Sequence, residues 1–431
     1  MKSKLSLSVA ALYLCLSVIS TTTFGATSAA KSDWPQWRGP DRTGVSKETG
    51  LLKQWPKEGP KLLWQVNDIG DGYSTPVVVG TRIYLMSNRG MDNEFVQALS
   101  TQDGKVIWTT RVGNVGNPDQ NPNYPKARST PTVDGNFIYA LGSDGDLACL
   151  QAMSGKIQWQ KNIRKEFKGQ PGEWAYAESP LVDGNMVIVT PGGPEATVVA
   201  LNKKTGALIW KSLVPGNEPA GYASAIVVQA GGRRQYVQLL TKGLVGVDAK
   251  TGQVLWRYAE VAKGPAQYWT PIAQGEYVYG GALGVGGGLV QLKAEATGVS
   301  ANQVYFIRGL PNGIGGGVVI GEHIYGTEVG QKLVAAEFTT GKVKWQADNF
   351  GWGSVASADG HLYLHLINGD MVLVEATPEA FRQKGKFSPP AQPKHSLSGD
   401  FGEAAFAYPV IANGRLYIRD LGTLWSYDIK E

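Results

Sequence analysis

His361 and His365 stand four residues apart, a spacing that on a helix would set two imidazoles around one metal ion. The run from His361 to His365 alternates like a strand, where four residues span roughly 13 Å. A zinc ion with bonds of about 2 Å cannot bridge that gap, so the pair reads as surface or packing histidines. Asp119, Asn121 and Asn123 alternate like the opening of a calcium loop. Pro118, Pro122 and Pro125 intrude and no closing glutamate follows in place, which leaves an ordinary loop. The glycine run from Gly280 to Gly288 lies between strand patterns, with no helix after it whose N-terminus would hold phosphate. Neither a Gly-x-Ser-x-Gly elbow nor a Cys/His nucleophile arrangement occurs, so hydrolase chemistry lacks support and no catalytic or metal-binding residue is assigned.

What remains is a set of aromatic and charged residues placed just ahead of a recurring strand. That strand opens as Ser74-Thr75-Pro76-Val77, Ser129-Thr130-Pro131-Thr132 and Ser179-Pro180-Leu181-Val182, each followed by a turn and a second strand. Related copies begin at Ser224, Thr270-Pro271, Gly317, Ser354 and Tyr408-Pro409, and many second strands carry a tyrosine such as Tyr84, Tyr139, Tyr279 or Tyr417. A second pattern couples an apolar strand to a glycine turn and a tryptophan, as in Asp103-Gly104-Lys105-Val106-Ile107-Trp108. It recurs at Trp159, Trp210, Trp256 and Trp345. The interval before Trp345 is about double the others, so one copy, near Gln303 to Phe306, has lost its indole.

Short alternating strands joined by glycine turns describe an up-and-down four-stranded sheet. One such sheet cannot bury both faces, whereas a ring of them stacked face to face can. With eight copies, the expected fold is all-β: an eight-bladed β-propeller of four-stranded antiparallel blades with tryptophan-docking repeats. Trp64, Trp108, Trp159, Trp210, Trp256 and Trp345 are expected to dock on the adjacent blade, with the N–H satisfied near its glycine turn. The last copy, from Tyr408 to Asp428, supplies three strands, and Gly59 to Trp64 is a lone fourth-strand pattern at the other end of the propeller. Pairing the two closes the ring with an N-terminal strand.

In a propeller the first strand of each blade lines the central channel, so residues just before it ring one mouth. Those residues are Tyr73, Arg128, Trp174 with Tyr176, Glu178, Tyr222, Tyr268 with Trp269, Trp352, and Phe406 with Tyr408. Rings with one cation suit a planar or saccharide-like ligand held by Arg128. The plainer alternative is that the aromatics plug the channel and Arg128 pairs with Glu178.

Residues 1–30 carry Lys2 and Lys4, an apolar run from Leu5 to Ile19 and small residues up to Ala30, the pattern of a secretory signal peptide cut after Gly25 or Ala30. Export to the periplasm or beyond follows, with residues 31–58 as an N-terminal extension and 59–431 as a single propeller. Cys15 falls in the leader behind Tyr13 and Leu14, where a lipid-attachment signal wants small residues, and no later segment is apolar enough to span a membrane. Without the leader Cys149 is the only cysteine, so no internal disulfide forms. Losing Lys2 and Lys4 lowers the formal charge from +5 to +3, too little to argue for nucleic acid, and nothing points beyond a monomer. The 56 glycines, near twice the usual share, mark tight reversals. Two excursions, 113–127 and 376–405, leave the blades without an assigned role.

The whole mature chain resembles the pyrroloquinoline quinone (PQQ)-like propeller family, quinoprotein-type and BamB-like, and within it an exported bacterial group of mostly unassigned function. The stretches that carry the resemblance are Trp34-Pro35-Gln36-Trp37-Arg38-Gly39-Pro40 with Gly44-Val45-Ser46, Gly59-Pro60 with Trp64, and Val374-Glu375-Ala376-Thr377-Pro378-Glu379. The resemblance implies three functional readings. The first is a non-catalytic exported propeller that binds a protein or small-molecule partner at its channel mouth or blade edges. The second is a PQQ-dependent alcohol or sugar dehydrogenase, with PQQ and calcium held by Arg or Lys and a Glu/Asn/Asp set. Arg128, Glu178 and Lys242 could contribute there, but the chain is short for that class, lacks the adjacent cysteine pair of many members and offers no carboxylate base at the same mouth. The third is a scaffold in outer-membrane protein assembly.

Overall fold

The computed structural model describes residues 32–116, 126–263, 266–296, 298–394 and 404–431. The leader with Cys15, and the Asp119, Asn121 and Asn123 trio, lie outside the described residues. Among those described, the chain forms eight antiparallel four-stranded sheets and almost no helix. Among the described residues no helix is long and apolar enough to cross a membrane.

Blade 1 shows how the sequence builds each sheet. Its strands are Val77–Val79, Arg82–Asn88, Glu94–Ser100 and Val106–Gly113, hydrogen-bonded in chain order. The two middle strands are buried almost throughout, while the outer strand alternates exposed and partly buried residues as an edge strand facing solvent must. Blades 2 to 7 repeat this order, with first strands opening at Thr132, Leu181, Ile226, Ile272, Gly317 and Gly353. Blade 8 takes Val410–Ala412, Arg415–Asp420 and Thr423–Asp428 from the end of the chain. Its fourth strand is Lys61–Val66, whose Lys61 pairs with Asp428 and Val66 with Leu424, so the ring closes by an N-terminal strand.

The indoles join successive blades. Trp108 sends its N–H to the Ala152 carbonyl of blade 2 at 3.2 Å, and the Tyr84 hydroxyl donates to the same oxygen. Trp159 and Tyr139 converge likewise on the Lys203 carbonyl of blade 3. Trp64, Trp210 and Trp345 reach the carbonyls of Thr101, Ala249 and Thr377. The turn glycines Gly104, Gly155, Gly206 and Gly252 lie under the indoles of the preceding blades, Trp64, Trp108, Trp159 and Trp210. At Gly155, with φ of +71°, a Cβ would come within 2.5 Å of the Trp108 ring, so both the backbone and the packing demand glycine.

Two blades depart from this scheme. Blade 5 extends its outer hairpin to strands Gly286–Glu295 and Gly298–Ile307, which removes the tight glycine turn from its usual place. Trp256 therefore donates to Gln235 of its own blade rather than to the next one. Within that hairpin Tyr305 takes the place of the missing indole and donates to the Phe338 carbonyl at 2.7 Å. The glycine run lies here, and a Cβ at Gly288 would meet Tyr258, so its glycines make room for tyrosines. In blade 7, residues 376–405 are not a simple excursion: they contain the fourth strand, Gln383–Phe387. Its polar Gln-Lys-Gly-Lys run and lack of tryptophan hide it from pattern reading.

His361 and His365 are both buried, and each bonds a carbonyl through Nδ1, Asp359 and Ala407 respectively, which makes them packing histidines.

Candidate functional site

The recurring Ser/Thr ahead of the first strands has a direct structural use. Tyr408 N–H donates to Thr75 Oγ1, Thr75 N–H to Thr130 Oγ1, Thr130 N–H to Ser179 Oγ and Ser179 N–H to Ser224 Oγ, at 2.8 to 3.1 Å. This girdle of hydroxyls ties neighbouring blades around the channel. At blade 5 the corresponding Thr270 Oγ1 accepts instead from the indole N–H of Trp37, which comes from the N-terminal extension.

The extension is a strap that threads the channel. First strands have one unpaired edge facing the axis, and their carbonyls need donors. Arg38 and Arg42 adopt left-handed backbone conformations, with φ of +58° and +56°, next to Gly39 and Gly44, and both guanidinium groups are buried. Arg42 donates to the carbonyls of Ser179 at 3.1 Å, Ala225 at 2.9 Å and Pro180. Arg38 reaches the carbonyl of Gly317. Main-chain bonds from the strap hold Val78, Val133, Ser357 and Ile429. The strap thus touches every blade: 1 at Val78, 2 at Val133, 3 and 4 through Arg42, 5 at Thr270, 6 at Gly317, 7 at Ser357 and 8 at Ile429.

Above this plug lies a cavity of about 400 Å³, within the range of small-molecule sites. Trp37 belongs to its lining together with Tyr73, Arg128, Trp174, Tyr222, Tyr268, Phe406 and Tyr408, and Ala177, Ser224, Ala266, Leu283 and Ile314 complete the wall. Trp37 meets Tyr408 edge-on at 4.7 Å, Tyr73 meets Phe406 at 5.2 Å, and Trp174 lies 5.2 Å from Tyr222. The Arg128 guanidinium stands 6.0 Å over the Tyr73 ring, with Lys126 beside the same ring at 5.6 Å.

Seven of the residues read from the sequence, Tyr73, Arg128, Trp174, Tyr222, Tyr268, Phe406 and Tyr408, meet in this cavity; Tyr176, Glu178, Trp269 and Trp352 do not line it. In extended chain, neighbouring side chains point to opposite sides. Tyr268 faces the cavity, so Trp269 turns into the core against Tyr279. Ala177 likewise lines the wall, and Glu178 is buried behind it, accepting from Thr190 N–H and Gln238 Nε2. Trp352 donates to the Val329 carbonyl at 3.1 Å. Trp37 precedes none of the recurring strands and belongs to the motif of the extension, and Leu283 and Ile314 carry no residue-type signal.

The electrostatics also differ from an Arg128–Glu178 pair. Burial raises the Glu178 carboxyl to about 7, against opposing bonds from Thr190 and the charge of Arg42. The charge of Arg128 bears instead on Glu94, a fully buried carboxyl that burial raises to about 7 although Ser143 donates to it twice. Desolvation pulls Arg42 down to about 9, which leaves it charged near neutrality.

A PQQ–calcium pair does not fit this wall. Among the described residues the lining has one cation and no carboxylate or carboxamide, and no group of three His, Cys, Asp or Glu side chains is placed to hold a metal. Lys242 points elsewhere, donating to the Gly216 carbonyl.

Comparison with known proteins agrees with the architecture. The profile of the family described as outer membrane protein assembly factor BamB matches residues 92–347. The protein of that name from Yersinia pestis is 27% identical over 241 residues, covering 52% of this chain and 55% of that protein. The chain thus spans about half the length of the curated relatives it matches, or less. Among solved structures, BamB from Moraxella catarrhalis superposes with a TM-score of 0.61 at 15% identity, covering 88% of this chain and 98% of that one. Quinohemoprotein alcohol dehydrogenase from Comamonas testosteroni gives 0.52 at 15% identity, covering 93% and 81%. At these identities the likeness is one of fold.

Proposed function

Because the chain belongs to the PQQ-like propeller family described as outer membrane protein assembly factor BamB, we propose that it is an exported, non-catalytic propeller that binds its partner at the channel mouth. The observation that carries this reading is the aromatic cavity, lined by Trp37 of the strap and, among the described residues, by Arg128 as its one charged side chain. Such a wall offers ring faces and one charge, the means of binding. It supplies neither a general base nor a set of metal ligands, the means of an alcohol oxidation. Residues 1–30 are removed on export in this reading, and the strap folds with propeller 59–431 as one unit. A role as a scaffold in outer-membrane protein assembly is compatible with the family and places a protein segment in the cavity or along the blade edges.

The test is direct. The leaderless protein is mixed with PQQ and calcium, passed over gel filtration, and assayed for quinone absorbance and for dye reduction with alcohols and sugars. The expected result is no retained quinone and no turnover. Retained quinone with turnover would overturn the binding reading in favour of a dehydrogenase.

A further inference from the structure

We propose that Glu48 is a positioning residue for the mouth cavity, acting on it from the opposite face of the propeller through the strap. This rests on the reading of the mouth as a binding site and names a residue that shapes it from a distance.

The first step is direction. Each first strand starts beside the mouth and runs to the opposite face, as Val77–Val79 does in blade 1 after the lining Tyr73. Trp34 pairs antiparallel with Val78, so the outgoing limb of the strap climbs towards the mouth. Val45 pairs parallel with Ser357 of blade 7, so the returning limb descends. The strap is therefore a hairpin inserted into the channel from the face opposite the cavity, with residues 36–44 as its tip.

The second step is the clasp at the open end of that hairpin. In blade 8 the turn at Asn413 and Gly414 joins strands Val410–Ala412 and Arg415–Asp420 on the opposite face, and it holds both limbs. From the outgoing limb the Ser32 hydroxyl donates to Asn413 Oδ1 at 2.7 Å. From the returning limb the Glu48 carboxylate accepts the main-chain N–H groups of Asn413 and of Gly414, the latter at 2.6 Å. Hydrogen bonds to a carboxylate are stronger than neutral ones, so this clasp fixes where the limb stands.

The third step is transmission. Gln36 Nε2 donates to the Pro40 carbonyl, the Arg38 guanidinium to the Thr43 carbonyl and Gly44 N–H to the Arg38 carbonyl, at 2.8 to 2.9 Å. The tip is thus closed on itself and shifts as one piece with Gly44, four residues before Glu48. It carries Trp37, which lines the cavity edge-on to Tyr408, and Arg38, 5.6 Å from the centre of the same tyrosine ring. Arg38 and Arg42 are held in left-handed conformations, and among the described residues the buried Arg38 Nε has no partner. A tip that carries such costs relaxes when its clasp is cut. Leu51 and Lys53 remain bonded to Asp359, so the limb stays in the channel and the slack falls on the tip.

The experiment reads Trp37 directly. Leaderless protein labelled with 5-fluorotryptophan gives one fluorine resonance per indole, and Trp37→Phe identifies that of Trp37. Glu48→Ala is expected to shift or split the Trp37 resonance, and Glu48→Gln, which keeps one acceptor oxygen, to do so less. Arg234→Ala, which removes an ion pair with Asp183 on the same face, leaves the resonance in place. The neutral aromatic probe N-phenylnaphthylamine, titrated by fluorescence, is expected to bind Glu48→Ala roughly fivefold more weakly than wild type. Coupling is reciprocal, so saturating probe returns the Trp37 resonance of that variant towards its wild-type position. An unchanged Trp37 resonance in Glu48→Ala with a lowered melting temperature overturns the assignment, because Glu48 then only stabilises the fold. Equal probe affinity in wild type and Glu48→Ala overturns it as well. The resonance needs no ligand, so it decides the role of Glu48 even where wild type takes up no probe, a result that counts against the mouth reading alone.

Discussion

Trp55 of the strap stands over Gly385 of blade 7, where a Cβ on the glycine would come within 2.6 Å of the Trp55 Cβ. Gly385 pairs with Leu373, the register at which Trp345 pairs with Ala335 in blade 6 and Trp108 with Ala98 in blade 1. Blade 7 thus has no docking indole of its own, and the strap provides one. Its ring lies 5.9 Å from Tyr363, much as Trp108 lies 6.1 Å from Tyr84. Trp55→Ala is expected to cost about 3–5 kcal/mol through the cavity it leaves. Gly385→Ala should cost about 1–3 kcal/mol by overpacking. The double variant Trp55→Ala with Gly385→Trp returns the indole in cis and should recover part of the loss. Denaturant midpoints of the three proteins check this, and a double variant no better than Trp55→Ala would show that the two positions are not equivalent.

The blade count and the ring closure were legible because glycine turns and indoles are local signals repeated at a nearly fixed interval. Half of the mouth was legible for the same reason: positions such as Tyr73, Arg128 and Tyr222 precede a recognisable strand. Glu178 and Trp269 fall outside the cavity lining through the two-residue alternation of extended chain, which a window of two to four positions cannot resolve. The strap was illegible in a different way. Arg42 bonds main-chain carbonyls more than a hundred residues away, and carbonyls have no residue type to read. Strand Gln383–Phe387 was missed because its indole is carried by another part of the chain.

Glu94 and Glu178 set an unusual dependence of stability on pH. Burial raises both from an ordinary 4.5 to about 7. Around Glu94 stand Ser143, Arg128 and Asp146, and around Glu178 stand Thr190, Gln238, Arg42 and Tyr176. Between those pH values the folded protein holds more protons than the unfolded chain, so stability falls as pH rises through that window. Burial shifts Asp144 and Asp146 in the same direction, whereas Asp359 and Asp370 are lowered and lose their contribution only in stronger acid. The melting temperature should peak near pH ~5 and decline towards pH ~8. Glu94→Gln with Glu178→Gln should flatten that slope. A melting temperature that rises from pH ~5 to pH ~8 in the wild type would show that these carboxyls ionise normally.

Arg42 is the strongest single test of the strap. Its guanidinium holds three carbonyls from two blades and offsets the charge of Glu178, in a backbone conformation that an L side chain adopts at a cost of about 1–2 kcal/mol. Removal leaves buried acceptors without donors and one buried carboxyl without its cation, an expected loss of about 3–5 kcal/mol for Arg42→Ala. Arg42→Gly removes the same bonds but relaxes the left-handed backbone, so it should be about 1 kcal/mol less damaging than alanine. Arg42→Lys keeps the charge but replaces a planar five-donor fork with a single ammonium, and should recover only part of the stability. Urea midpoints ordered wild type, Lys, Gly, Ala would establish that directed bonds and backbone strain both operate at this position. An unchanged midpoint for Arg42→Ala would mean that water satisfies the inner carbonyls and that the strap merely rests in the channel.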